Sequence, residues 1–344
     1  MSVVRRFDFI DCLRGIAIVL MILQHSTLVL MNLSLVDSTP YILMIILGIF
    51  SAPMFLMLVG FCLSLSAERR IEQGETRYQI REHDLRRGVV LTVFGFLLAI
   101  IWDGDILRYT GMFISITTLL LETQIKTRFI VGVAALVLSP MLKPFLVLAG
   151  SEPSGELFFQ TSWNYSKFLY RIYGEGYLAL FGLFAFVVFG TILGSLFVQS
   201  LREGREKAFQ KTMLKLGLLL TGVGVPEIFL AISFDDFPAI EVICTMGVSL
   251  LVLSGLIWLE ENKIRAFRIL SPLILYGRLS LSIYVGHIVI WLGAFRLLNL
   301  TLTLSFPEVL IALLSGYILI WVLGSLWLKT KTAGPLELII ARFI

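Results

Sequence analysis

Apolar and polar residues alternate along this chain in long blocks rather than in short periods. Largely apolar runs recur, and candidate spans are placed near residues 12–33, 42–66, 86–103, 106–122, 128–149, 177–200, 214–234, 239–259, 272–296 and 306–328. Each is compared with the roughly 20 residues that an α-helix needs to cross about 30 Å of hydrocarbon. The pattern predicts ten transmembrane helices, and with them an all-α, polytopic integral membrane protein. The third and fourth runs are the shortest, with strictly uncharged cores at Gly88–Trp102 and Tyr109–Leu121. Arg86, Arg87 and Arg108 are expected to snorkel to the interfaces there, and a single re-entrant hairpin is the alternative for this pair.

Composition agrees: 58% of the 344 residues are hydrophobic and 15% are charged. Most of the 28 lysines and arginines fall on one side of the ten-span scheme, in the N-terminal segment, between Arg69 and Arg87, and around Lys126, Arg202–Lys211, Lys263–Arg268 and the tail. Cationic loops stay in the cytoplasm, so both termini are placed inside. The net charge of +4 is then a matter of topology, and nucleic acid is not an expected partner. A charged N-terminus runs directly into a full-length span, so no cleavable signal peptide is expected.

The chain is expected to form one transmembrane domain over residues 1–344, with an outer loop or lid at 151–177 and a cytoplasmic tail at 329–344. Lipid is its surroundings, and a second copy of the chain is a further partner to consider. Cys12, Cys62 and Cys244 lack metal-ligand spacing, so no metal is expected. Asn32, Asn164 and Asn299 begin N-x-S/T triplets on the predicted outer side.

Candidate chemistry lies in the first and ninth runs. In "DCLRGIAIVLMILQH", Arg14 and His25 are separated by ten uncharged residues. At about 100° per residue they share one helix stripe, with Asp11 a turn before Arg14 on an adjoining face. A rise of about 1.5 Å per residue puts His25 roughly 16 Å from Arg14, deep in the membrane. The ninth run, "YGRLSLSIYVGHIVIW", supplies Arg278 near the inner end, then Ser280, Tyr284 and His287 on one face. Intramembrane ionisable residues are functional by default, although a packing role for each histidine stays open.

These stretches, together with "SAPMFLMLVGFCLSLS" and "DILRYTGMFISITTLLL", resemble the transmembrane acyltransferase superfamily, specifically bacterial relatives of heparan-α-glucosaminide N-acetyltransferase. The opening and the ninth-span motif are also similar to integral-membrane O-acyltransferases that decorate glycans. The resemblance implies an acyltransferase of the bacterial cytoplasmic membrane. It would move an acyl group, usually acetyl, from cytosolic acyl-CoA to a sugar or other acceptor reached from the outer side.

Under that reading Arg14 and Arg278 would hold the donor phosphates, assisted by Arg86, Arg87, Ser280 and Tyr284. His25, with His287 and Asp11, would be catalytic, and a neutral imidazole at His25 would take the acceptor's proton. Glu227 is a candidate carboxylate partner for it. The resemblance has two departures. "MNLSLVDSTPYI" contains no histidine where the human-type enzyme places its proposed active one, and the tail "AGPLELIIARF" is closer to a second bacterial branch. A transporter or flippase with histidine and arginine in a proton or anion pathway is the rival class, and would be expected to show paired broken helices or an inverted repeat.

Asp103 and Asp105 read as turn or cap residues, and His83 as a solvated loop residue.

Overall fold

The computed structural model describes residues 6–36, 38–102, 105–148, 180–230, 238–262 and 269–344. The described elements are helical: α1 (Asp8–Leu30), α2 (Thr39–Ile49), α3 (Ser51–Glu72), α4 (Arg77–Ala99), α5 (Leu107–Leu120), α6 (Ile125–Leu148), α7 (Leu180–Glu203), α8 (Glu206–Leu230) and α9 (Pro238–Glu261), followed by α10 (Ser271–Arg278), α11 (Ser280–Gly286), a π-helical turn His287–Leu292, α12 (Gly293–Leu297), α13 (Phe306–Leu328) and α14 (Pro335–Ile340). Six stretches among the described residues are long and apolar enough to cross a membrane: Asp8–Leu30, Thr39–Glu72, Phe181–Glu203, Val242–Glu261, Ser280–Leu297 and Phe306–Leu328. The other four expected spans are helical too, but α5 has only 14 residues, α4 opens on charged turns, and α6 and α8 each carry several cationic residues. The expected lid at 151–177 and Asn164 lie outside the described residues.

The residues fall into two compact units, Leu56–Leu251 and the combination of Arg6–Phe55 with Val252–Ile344. In the first, small residues let helix backbones touch, as they must where lipid gives no hydrophobic drive between helices. A Cβ at Gly60 would lie 1.9 Å from the Val187 carbonyl oxygen, and one at Gly190 would lie 2.1 Å from that of Met57, so α3 and α7 meet at van der Waals contact. The α4–α5 pair is an antiparallel hairpin in which Gly95 abuts Arg108 and Gly111 abuts Gly88. Arg108 does not snorkel: it is 3% exposed, with its guanidinium over the Tyr109 ring at 4.8 Å and Nη2 donating to Tyr109 Oη. Asp105 is the cap expected, accepting from the backbone N–H groups of Leu107 and Arg108, both at 3.0 Å; Asp103 lies outside the described residues. The cationic stretch 69–87 is mostly helix rather than loop. His83 therefore sits on α4, beside the buried Asp84, because Thr76 and Gln79 form a capping box that starts the helix early.

The second unit is organised by α1. Asp8 and Asp11 in its first turn complement the helix dipole, and Glu260 of α9 accepts from the Phe9 N–H at 2.7 Å, satisfying one orphan donor. A Cβ at Gly15 would meet the Leu273 carbonyl oxygen at 1.9 Å and one at Gly277 the Asp11 carbonyl oxygen at 1.8 Å. Residue numbers fall along α10 as they rise along α1, so the two run antiparallel in backbone contact. Two tyrosines fasten α13: Tyr276 Oη donates to the Tyr317 carbonyl at 2.6 Å, and Tyr317 Oη to the Val19 carbonyl at 2.8 Å. At the far end of α1 the backbone of Leu302 and Leu304 donates to Val29 and Leu30, with Asn299 and Leu302 at φ 55 and 57 making the turn. Asn32 caps a short 3-10 turn through its carboxamide oxygen.

The close approach at Gly277 is testable. Gly277→Ala is expected to lower thermal stability in detergent by about 1–3 kcal/mol, because backbone must move apart. Gly286→Ala, nine residues on with open space around it, is expected to be neutral or slightly stabilising.

Candidate active site

Sequence periodicity makes the ninth span one helix, and the structure divides it. The chain leaves α10 at Leu279 (φ −107, ψ 16), restarts as α11, and opens into the π-helical turn at His287. Neither interruption is at a proline. The N-terminus of α11 is held from outside by Glu337 of α14, whose Oε1 accepts from the Leu281 N–H at 2.9 Å and the Ser282 N–H at 3.3 Å, while Oε2 accepts from Ser282 Oγ. Ser282 Oγ in turn accepts from the Leu336 N–H at 3.0 Å. A carboxylate on the first N–H groups of a helix is favoured by both hydrogen bonding and the dipole. Gly334 is required beside this clamp, since a Cβ there would meet Glu337 Oε2 at 2.2 Å and Ser282 Oγ at 2.6 Å.

Beyond the break the chain returns to α1, and His25 Nδ1 lies 2.9 Å from His287 Nε2. The ring centres are 5.2 Å apart and the planes 22° apart. One ring radius on each side of a 2.9 Å bridge accounts for that separation, so the imidazoles are joined edge to edge in nearly one plane rather than stacked. His287 is 3% exposed and His25 is half-buried. Tyr284 and His287 pack in a tilted edge-to-face contact, with ring centres 5.5 Å and planes 63° apart.

Protons can be assigned from the partners. His287 Nδ1 is 3.3 Å from the Ile283 carbonyl oxygen, which only accepts, so Nδ1 carries the hydrogen. In the neutral ring Nε2 is then an acceptor, and His25 Nδ1–H donates to it. The lone pair of His25 falls on Nε2. A backbone carbonyl on the ninth span therefore sets which nitrogen of an α1 histidine is basic, the role that an orienting group has for a catalytic imidazole.

The other expected site residues divide into those near this axis and those elsewhere. Asp11 is buried and accepts from Arg6 Nε at 2.8 Å, Arg6 Nη2 at 2.6 Å and Arg14 Nη1 at 3.2 Å. It sits fourteen residues before His25, about 21 Å along the helix, and does not reach the imidazoles. Arg14 Nη1 also donates to the Gly277 carbonyl at 3.4 Å, so Arg14 links the start of α1 to the end of α10. Arg278, next to that carbonyl in sequence, is exposed. Ser280 is half-buried, and its neighbour Ser282, not Ser280, engages the clamp. Arg86 and Arg87 are on α4 in the other unit, where Arg86 pairs with Glu82 one turn away. Glu227, on α8, lies outside the residues whose side chains are described. Sequence reasoning missed Glu337 and Glu260, because a lone acidic residue in a tail or at a helix end carries no spacing signal.

The chain belongs to the family described as heparan-alpha-glucosaminide N-acetyltransferase, catalytic, which matches residues 6–232. This makes it a membrane acetyltransferase by family. Residues 202–343 match a second family, described as a protein of unknown function, DUF418. His25 falls in the first match, His287 and Glu337 in the second. No curated protein matches the chain.

The clamp yields a structural expectation. Glu337→Ala should accelerate hydrogen exchange at the Leu281 and Ser282 amides and lower stability by about 1.5–3 kcal/mol, the worth of charge-assisted hydrogen bonds. Glu337→Gln should restore part of both.

Proposed function

We propose that this protein transfers an acetyl group from acetyl-CoA, or a related acyl-CoA, held at the cytoplasmic side, to the amine or hydroxyl of a sugar or similar acceptor reached from the outer side of a bacterial cytoplasmic membrane. Ten spans with both termini inside belong to the same reading, as does the absence of any metal from the chemistry. The observation that carries it is the His25–His287 hydrogen bond, which leaves His25 Nε2 as the base. His25 Nε2 takes the proton from the attacking amine or hydroxyl as its nitrogen or oxygen bonds to the thioester carbonyl carbon. The C–S bond breaks, the departing thiolate receives that proton, and the free thiol and acylated acceptor leave. General-base help of this kind contributes about a hundredfold to ten-thousandfold.

Coenzyme A phosphates cannot enter hydrocarbon, so they are assigned to the cationic end of the same unit, at Arg14 and the exposed Arg278, with Ser280 and Tyr284 on the path toward His287. Asp11 then holds Arg14 by ion pairing instead of touching the reacting atoms. Arg86 and Arg87 keep their donor-binding assignment on the sequence argument alone. His287 orients His25. Direct transfer is favoured over an acyl-histidine, because the partner of His25 Nδ1 is another imidazole and not an activating carboxylate.

The discontinuity at Leu279 also favours a second reading, since transporters bind anions at half-helix ends. The α11 end is already occupied by Glu337.

One experiment separates these readings. His25→Ala is expected to lower acetyl transfer at least about a hundredfold, with donor affinity and thermal stability nearly unchanged. His287→Ala should lower turnover as well, and radiolabelled donor without acceptor should label no protein. Full transferase activity in His25→Ala would end the mechanism, and uptake of an anion into liposomes without acyl transfer would favour the transporter.

A further inference from the structure

The chain after α13 is tied down on one side only. Trp327 Nε1, near the end of α13, donates to the Ala333 carbonyl at 2.8 Å, and Glu337 accepts from the Leu281 and Ser282 amides, so α14 is seated on the start of α11. Ile340 is buried on that side. The other side is uncovered: Pro335, Ile339 and the turn residues Arg342 and Phe343 are exposed, Ile339 to 43% and Phe343 to 63%.

The same segment holds a surplus of positive charge. Lys329, Lys331 and Arg342 are exposed, and among the described residues none of the three has a carboxylate partner. Glu337 is the only carboxylate in the sequence between residues 309 and 344, and both its oxygens are committed to the clamp. The position of the segment follows from Gly324, where a Cβ would meet the Leu279 side chain at 2.7 Å and that of Leu275 at 2.8 Å, so α13 ends at the level where α10 ends and α1 begins. Phe306–Leu328 is long and apolar enough to cross a membrane, and the tail leaves it where hydrocarbon gives way to headgroups. Cations beside exposed apolar side chains at that depth have the make-up of a segment lying in the interface. A soluble phosphate compound would answer the cations but offer nothing to Ile339 and Phe343, whereas an anionic phospholipid answers both.

We propose that the tail docks on anionic phospholipid, with Lys329, Lys331 and Arg342 at the headgroup phosphates and Ile339 and Phe343 at the acyl boundary, and that this docking keeps the Glu337 clamp closed. The coupling is one of linkage. Lipid that binds only the seated tail lowers the population in which Glu337 has let go of the α11 amides. Each cation at an anionic surface is worth about fivefold in that population. The clamp leads to the break before His287, so lipid charge reaches the histidine pair through backbone contacts. The inference concerns lipid and clamp and is independent of the transferase reading.

The test uses the full chain, one copy per lipid nanodisc, in phosphatidylcholine alone and with added phosphatidylglycerol. Hydrogen exchange at the Leu281 and Ser282 amides is expected to slow about tenfold or more when phosphatidylglycerol is present at low salt. Salt at about 1 M, which screens beyond roughly 3 Å, should remove the slowing. Lys329→Gln, Lys331→Gln and Arg342→Gln combined, all at exposed positions, should remove it as well, and Phe343→Ser should diminish it. Lys126→Gln, an exposed cation of the other unit, should respond to lipid as the unmodified protein does. Equal exchange in the two lipids, or a slowing undiminished in the triple variant or in Phe343→Ser, would overturn the proposal. Protection that appears only with two copies per disc would assign the uncovered face to a second copy of the chain, and would overturn it too.

Discussion

The hydrogen bond between His25 and His287 joins the two segments to which the proposed chemistry is assigned, and it places severe demands on everything around it. A 2.9 Å bridge between rings on α1 and on the π-helical turn tolerates almost no slip of one helix along the other. Side-chain packing alone gives way by more than that, and backbone contact does not. The register is fixed where Gly15 and Gly277 let α1 and α10 approach to their carbonyls, and where Tyr276 and Tyr317 tie α10, α13 and α1 through carbonyl oxygens. In hydrocarbon each of these hydrogen bonds also removes a polar group that water cannot reach.

The discontinuity at Leu279 follows from the same demand. A straight helix lying antiparallel on α1 would carry its later residues away from His25. Ending α10 at Arg278 and restarting at Ser280 lets the chain come back, at the cost of new orphan N–H groups that Glu337 satisfies. His287, the first residue of the π-helical turn, finds the partner of its Nδ1 one turn back, at the Ile283 carbonyl of α11. Local wide turns of this kind are common at functional positions because they re-aim one side chain without ending the helix. Tail, break and tautomer form one mechanical chain from Glu337 to the basic nitrogen of His25.

Much of this was legible in the sequence, and what was not has physical reasons. Among the described residues the blocks of apolar residues located the long helices, and the two histidines and their neighbouring arginines stood out because ionisable groups are rare in membranes. Helix ends were misplaced where charged residues continue a helix past the hydrocarbon, as in α3 and α4, because hydropathy reports solvent and not hydrogen bonding. The break at Leu279 and the π turn have no composition signal, since they arise from tertiary contacts of Gly277 and Glu337. Asp11 looked like a member of the reactive stripe, but periodicity gives direction and not reach, and its carboxylate is spent on Arg6 and Arg14. The stretch "MNLSLVDSTPYI" contains no histidine, so an active histidine at that position is excluded in this chain.

The central claim is a statement about where two protons sit, and nitrogen spectroscopy reads it directly. The chain has three histidines, so ring-¹⁵N-labelled protein, with His25→Ala and His83→Ala used for assignment, resolves each ring. The account predicts that His25 and His287 are both protonated on Nδ1 at neutral pH, with both Nε2 atoms in the unprotonated range and a coupling across the hydrogen bond from His25 Nδ1 to His287 Nε2. A hydrogen on His25 Nε2, or on His287 Nε2, would contradict it.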